Sequence, residues 1–385
     1  MKFLHLSDLH IGKTVNGYSM LPEQRHVFQQ ISGYVDSEKP AAVLIAGDVY
    51  DRAVPGIEAI SVFDDFLTSL ALRDVAVLII SGNHDSPERL SFGARLLRDR
   101  QLHICGVWNG SLEQLTLTDE LGDVSFWLLP FVKPSGVRHV FDGFDDFDER
   151  EIQSYTQAVT AILESANIDY SRRNVLVSHQ FYTGAGSEPE RCESEISPVG
   201  GLDAVDAGVL SQFDYVALGH LHKAQGLGGN IRYAGSPVKY SFSEWRHDKT
   251  VTMVTLGEKH DVKTELLPLT PLHDMREMRG SLEEVLGNTS ADGSNEDYLR
   301  VVLTDEQELV DPMGKLRSVY PNVMSLDFEN SRTSIELSDL QPDAEKIESL
   351  SLYDLFSEFF LESSGAVMSN EQSAIVRELL EGGID

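Results

Sequence analysis

The chain has 385 residues, 41% of them hydrophobic, with 62 acidic side chains against 31 lysines and arginines and a net charge of −31. That length exceeds one ordinary core and implies two or three domains. No stretch is apolar enough to span a membrane, two cysteines (Cys105 and Cys192) make no disulfide framework, and the acid excess argues against a polyanionic substrate unless bound cations supply positive charge.

The N-terminus runs straight into a strand pattern at Phe3–Ser7. It shows none of the basic, apolar and small-residue order of a secretory signal, so a cytoplasmic location is expected. Short apolar runs at Ala42–Ala46, Val75–Ser81, Val175–Ser178 and Tyr215–Leu218 suit buried strands. Helices are expected over Glu23–Glu38, Pro55–Leu72 and Pro87–Arg100. The second of these puts Ile57, Ile60, Phe63, Phe66, Leu67 and Leu70 on one stripe. Further strands at Ser125–Leu129, Ile231–Ala234, Val251–Leu256 and Val262–Leu267 favour a four-layer α/β/β/α sandwich over a doubly wound sheet, filling residues 1–268. The acidic run Asp142–Glu151 is read as a solvated loop or helix start.

Pro268–Leu272 marks a boundary. Beyond it, Ser281–Leu286, Tyr298–Leu303, Glu306–Val319 and Val323–Phe328 predict a small α+β domain over 269–340, carrying a flexible surface loop at Gly287–Asn295. Residues 341–385 read as helical only. Leu352, Leu355, Phe356, Phe359 and Phe360 share a face, and Ser369 with Gln372 forms a capping box. With only Lys346 and Arg377 basic, this tail suits a protein partner better than DNA, or else it covers the main domain.

Chemistry concentrates in five motifs: Asp8-Leu9-His10, Gly47-Asp48-Val49-Tyr50-Asp51, Gly82-Asn83-His84-Asp85, Ser178-His179 and Gly219-His220-Leu221-His222. Each follows a β-branched or aliphatic run and so belongs at the C-terminal end of a strand. Together they offer enough oxygen and nitrogen ligands for two divalent cations side by side. Asp48 is the best bridging carboxylate, Asp8 and His10 can reach one ion together, and Asn83 brings a neutral carbonyl oxygen. His179, His220 and His222 add imidazoles, the last two on one side of an extended segment and able to serve different ions. His5 is read as core, whereas His26, His103, His139, His247, His260 and His273 have no partner motif.

This order of motifs resembles the calcineurin-like metallophosphoesterases over roughly residues 1–265. The resemblance implies one ion on Asp8, His10, Asp48 and His222, and another on Asp48, Asn83, His179 and His220. It further implies that His84 protonates the leaving oxygen or stabilises charge on the phosphate; Asp51 would then lie close enough to hold its tautomer, or else is a turn residue. The segments Leu6–Lys13, His179–Phe181, Val199–Gly201, Tyr215–His222 and Ile231–Glu244 are similar to the SbcD nuclease subunits of Mre–Rad type repair complexes. That likeness implies a manganese-dependent 3′→5′ double-strand DNA exonuclease and single-strand endonuclease acting on ends, hairpins and blocked ends. Magnesium or another divalent ion is the alternative to manganese. It also implies a homodimer, with Pro55–Leu72 and Pro87–Arg100 as candidate surfaces, and an SbcC-type coiled-coil ATPase bound through 341–385, with no membrane.

Lys13, Arg52, Arg89 and Lys239, together with Lys223 and Arg232, are the cations near the motifs that could meet DNA phosphates. Two other readings compete. A small-substrate phosphodiesterase, for a cyclic nucleotide for example, would need no extra 120 or so residues after the sandwich. A non-catalytic docking protein would not need His84. A protein phosphatase fits less well, since Asp85 stands where Glu is usual.

Overall fold

Strands β1 (Lys2–Leu6), β2 (Ala42–Ala46), β3 (Ala76–Ile80) and β4 (Leu102–Cys105) pair in parallel in that order. β2 and β3 are buried at every residue, which is why they read as unbroken apolar runs rather than alternating ones. A second sheet follows: β5 (Glu113–Asp119), β6 (Gly122–Leu129), β7 (Arg173–Ser178), β8 (Tyr215–Leu218), β9 (Gln225–Gly228) and β10 (Ile231–Tyr233). The chain then returns to the first sheet with β11 (Thr250–Leu256), antiparallel to β1, and β12 (Val262–Pro268). The spatial orders are β12-β11-β1-β2-β3-β4 and β9-β10-β8-β7-β6-β5.

Period-two alternation joins the sheets. Phe3, Ala42, Leu44, Leu78 and Ile80 of the first pack against Phe126, Leu128, Val175, Val177, Tyr215 and Ala217 of the second. Helices α1 (Leu21–Glu38) and α2 (Ile57–Ala71) form one outer layer and touch through stacked Phe28 and Phe66, 4.4 Å between ring centres. Two short helices, α3 (Pro87–Leu90) and α4 (Ala94–Leu97), precede β4. The opposite outer layer is α5 (Pro134–Phe141) and α6 (Tyr155–Ser165), packed on Trp127, Leu176, Val216 and Leu218. The architecture is the α/β/β/α sandwich expected.

Two helical expectations are corrected. The helix over Pro87–Arg100 is broken at Gly93, whose φ of 76° lies in the left-handed region. On α2 the buried set is Ala59, Val62, Phe63, Phe66 and Leu70, while Ile57 is 88% exposed and Ile60 48%.

The structure, a computed structural model, describes residues 1–142, 152–184, 189–195, 203–288, 294–330, 352–364 and 367–381. It divides into two units, Met1–Asp274 and Met275–Asp385. In the second unit β13 (Met275–Gly280), β14 (Tyr298–Leu303) and β15 (Val323–Phe328) form a parallel sheet over a core of Met278, Val285, Leu299, Val301, Leu316 and Tyr320. α7 (Leu282–Gly287) and α8 (Pro312–Arg317) pack there.

β13 carries charged Arg276 and Glu277 between Met275 and Met278, and Arg279 after them, so it offers no apolar run to read. The helix expected over Glu306–Val319 starts only at Pro312, capped by the Asp311 side chain. Helices α9 (Leu352–Ser364) and α10 (Asn370–Glu381) end the chain, the second opened by the Ser369–Gln372 capping box. Most of the acidic run and of the Gly287–Asn295 loop, and all of Val199–Gly201 and of residues 331–351, lie outside the described residues. Among those described, no helix is long and apolar enough to cross a membrane.

Candidate metal centre and active site

All five motifs converge at the C-terminal ends of β1, β2, β3, β7 and β8. Loops after β1 and β2 are zipped together by Asp8 N–H to Gly47 O, His10 N–H to Asp48 O and Ile11 N–H to Val49 O. Holding side chains inward from such sharp turns demands unusual backbone. Asp8, His10, Asp48 and His220 all have positive φ (52°, 41°, 49° and 102°), a conformation that side-chain-bearing residues adopt at a cost of about 1–3 kcal/mol. Gly82 is required for close approach, since a Cβ there would collide with Asp48 Oδ1.

The donor atoms meet at short range. Asp48 Oδ1 accepts the His84 N–H at 2.9 Å, leaving Oδ2 3.3 Å from His179 Nε2 and 3.6 Å from His10 Nε2. On one side His10 Nε2 lies 3.1 Å from His222 Nε2, with Asp8 in the same cluster. On the other, Asn83 Oδ1 is 3.1 Å from both His179 Nε2 and His220 Nδ1.

For two of the rings the far side fixes which nitrogen faces inward. His179 donates from Nδ1 to Ala46 O at 2.8 Å, and His222 Nδ1 faces Ser194 Oγ (2.8 Å) and Glu244 Oε1 (3.3 Å). The His179 Nε2 lone pair therefore points at the lone pairs of Asp48 Oδ2 and Asn83 Oδ1, which is repulsive unless a cation or proton lies between. Two ligands at right angles, each about 2.1 Å from an octahedral ion, would be about 3.0 Å apart. The spacings fit divalent metals.

Charge gives the same answer. Burial pushes His179 down, but Asp48 beside it raises the imidazole to about 9. His220 is pushed down to about 3 by burial and then by His179, and burial holds His10 well below its ordinary value. Three imidazoles thus crowd one buried carboxylate, and Asp48 is held well below the usual range against its own burial by His179, His10 and His84. The fourth cluster of possible ligands, Cys192, Glu244 and His247, is no metal site: the Glu244 oxygens already serve Lys249 (2.6 Å), Ser194 (2.7 Å) and His222.

His84 is half-buried beside His10, ring centres 4.8 Å apart. Here one expectation is corrected. Its Nδ1 donates to the main-chain carbonyl of Asp51 at 3.0 Å; the Asp51 carboxylate instead takes Lys13 Nζ at 2.9 Å and lies 3.6 Å from Arg52 Nε. A carbonyl holds the tautomer as well as a carboxylate would, and no side-chain motif reveals it.

Lys239 is the second correction. It is largely buried, bonded to Asp274 Oδ1 (2.6 Å) and Trp245 O (2.8 Å), and it clamps the segment ahead of the second unit rather than facing the site. Arg52 and Arg89 are exposed, Lys223 pairs with Glu190, and half-buried Arg232 is 3.4 Å from Thr252 Oγ1. His5 is core as read: Nε2 faces Leu218 O and Nδ1 faces the Tyr215 hydroxyl, tying β1 to β8 across the sheets.

Motif reading missed the support. Asp85 accepts the N–H groups of Gly82, Val49 and Tyr50, locking two metal loops together. Gln24 on α1 donates to Leu9 O and His10 O. Every remaining polar atom of His222 is also held: N–H by Glu195 (2.6 Å), C=O by Lys249 (3.0 Å), Nδ1 by Ser194 and Glu244. Only Asp85, the last residue of the third motif, and Glu244, the end of the Ile231–Glu244 segment, carried any signal.

Residues 1–224 match the family model for calcineurin-like phosphoesterases. The chain belongs to that family and is a metal-dependent phosphodiesterase. Residues 271–364 match the SbcD C-terminal model, described as a type 5 capsule protein repressor C-terminal domain. The D subunit of nuclease SbcCD from Staphylococcus epidermidis is 30% identical over 392 residues, covering 100% of this chain and 99% of that one. Within the phosphoesterases, then, the chain belongs to the SbcD family. Two solved structures show a weaker likeness. One is a Thermus thermophilus protein (TM-score 0.39, 10% identity, 69% of this chain and 98% of that one), the other a dimetal phosphatase from Danio rerio (0.37, 13%, 70% and 99%).

Proposed function

We propose that the chain is the manganese-dependent nuclease component of a DNA-processing complex: it shortens duplex ends 3′→5′, cuts single strands, and works with an SbcC-type coiled-coil ATPase in the cytoplasm. The observation that carries the chemistry is the double cluster sharing Asp48, with His84 at its rim. In this reading Asp8, His10, Asp48 and His222 hold one ion, and Asp48, Asn83, His179 and His220 the other. Nitrogen and carboxylate ligands without thiolate suit manganese. When bound, two such ions supply an activated water near neutral pH and a clamp on the phosphate oxygens.

The residues do the rest. Asp48 spans both positions, Asn83 adds an oxygen without adding negative charge, and the Asp51 carbonyl keeps the proton of His84 on Nδ1 so that Nε2 faces outward. Once protonated, that Nε2 is placed to donate to the leaving oxygen. Among the described residues, no serine or cysteine is placed to form a covalent intermediate. Nuclease activity and a place in an SbcCD assembly are carried over from the name of the full-length relative, while DNA as substrate and an ATPase as partner follow from the resemblance of the motifs.

Two surfaces fit the assembly. α9 and α10 expose Phe356, Phe359, Leu361, Ile375 and Leu379, an apolar face suited to the ATPase. Val54, Ile57 and Ile60 at α2, and Phe92 and Leu96 around α4, are exposed apolar groups suited to a second copy of the chain.

End-labelled linear duplex incubated in manganese, with and without the ATPase, tests this reading. Stepwise loss from the 3′ end is expected, reduced by about 100-fold or more in His84→Gln with manganese binding intact. No cleavage by metal-loaded protein in either condition would overturn the nuclease and leave small phosphodiesters as the substrate class.

A further inference from the structure

We propose that Arg191, stacked on Phe181 beside His220, binds the non-bridging oxygens of the phosphodiester being cleaved. The proposal rests on the phosphodiester reading above and names a substrate-binding residue that lies in none of the five motifs.

Position comes first. The Arg191 guanidinium carbon lies 3.7 Å from the centre of the Phe181 ring, and that ring is 6.0 Å from the ring of His220. Phe181 is itself buried, so the platform is rigid. His220 in turn faces Asn83 across 3.1 Å, which puts Arg191 at the rim of that half of the centre.

Presentation comes second. The backbone on each side of Arg191 is tied down. Glu190 N–H donates to Gln225 Oε1 (2.9 Å) and Glu190 O accepts from Gln225 Nε2 (2.8 Å). On the other side, Cys192 N–H donates to Glu195 Oε2 (3.1 Å) and Glu193 N–H to Ser243 Oγ (3.1 Å). Ser194 and Glu195 then grip His222. The segment that carries Arg191 is therefore built onto His222, one of the histidines that line the centre.

Chemistry comes third. A guanidinium whose flat face lies on an aromatic ring directs its N–H edge along the plane of that face, and the edge matches two phosphate oxygens. A protein of net charge −31 needs local cations at the centre if a phosphodiester is to approach.

Full-length Arg191→Ala and Arg191→Lys, loaded with manganese, would be assayed on duplex DNA (with the ATPase) and on bis(p-nitrophenyl) phosphate. Manganese binding would be titrated separately. For the alanine variant KM should rise about tenfold on both substrates, kcat should change by less than about twofold, and manganese affinity should be unchanged. Lysine should restore only part of the loss, because a point charge cannot replace the fork.

Unchanged KM on both substrates, with active wild type, overturns the proposal and leaves the nuclease reading standing. A rise on DNA alone overturns it too, by moving the contact to a flanking phosphate. Weakened manganese binding would mean Arg191 acts by shaping the His220 side, again overturning it. If the wild type cuts only the small diester, the nuclease reading has failed and KM on that diester alone decides.

Discussion

Asp48 carries both halves of the centre, and its two oxygens are treated differently. One is tied by the His84 N–H; the other faces His10 and His179. Asp48→Asn should lower bound manganese from two ions to one or none and abolish cleavage, with little change in fold. Two ions retained in the variant, counted by titration, would remove Asp48 as the bridge.

The same carboxylate sets a pH signature. His179 sits at about 9 against an ordinary 6.5, so the stabilisation it supplies to metal-free protein is complete below 6.5 and is lost as pH rises through 9. Manganese must displace that proton, so its affinity should climb over the same window. Unfolding temperatures in chelator, compared at pH 6.5 and 9, test this; no fall for the metal-free protein would mean the Asp48–His179 pair is absent.

At the scale of elements, strands aim the ligands and a buried ion pair holds one of them. Lys249 and Glu244 lie 2.6 Å apart in the interior, and both grip His222. Burial alone would raise Glu244, yet Lys249 and His222 hold it well below the carboxylate range. Lys249→Met leaves that carboxylate uncompensated and should cost about 3–5 kcal/mol in urea unfolding. Glu244→Gln strands the Lys249 ammonium in the same way, and by loosening His222 it should also weaken manganese binding by about 10–100-fold, read by titration. Equal stability of Lys249→Met and wild type would show that the pair is not formed.

Element identity was legible wherever periodicity and length agreed, as in β2, β3 and α1. It was not legible for β13, with its interleaved charges, nor for the break at Gly93, since an isolated glycine within a helical pattern does not announce its φ.

At the scale of the molecule, the exposed apolar groups at α2 and α4 need cover. Ile57 and Phe92 are 88% and 87% exposed, and the homodimer proposed above would bury them. Ile57→Glu or Phe92→Glu should convert a dimer to monomer in sedimentation without changing hydrolysis of a small phosphodiester. A wild-type chain that sediments as a monomer at all concentrations would end the homodimer reading. The stripe read along α2 mixed these outward positions with buried ones because periodicity marks an apolar face without saying what covers it.

The sequence by itself determined the metal ligands as candidates and the class of sandwich, because residue type, spacing and position after a strand are local properties. Tertiary structure decided what those residues meet. His10 faces His222 across 212 positions of chain, and His220 N–H reaches Asp8 across the same span. Such pairings depend on which strands lie side by side. So does the fate of each cation and carboxylate: Lys239 is sequestered by Asp274, the Asp51 carboxylate is held by Lys13 while its carbonyl orients His84, and Arg191 is carried to the rim by a segment with no motif. Charge partners and hydrogen bonds are matters of distance in space, and a linear order of residues does not contain them.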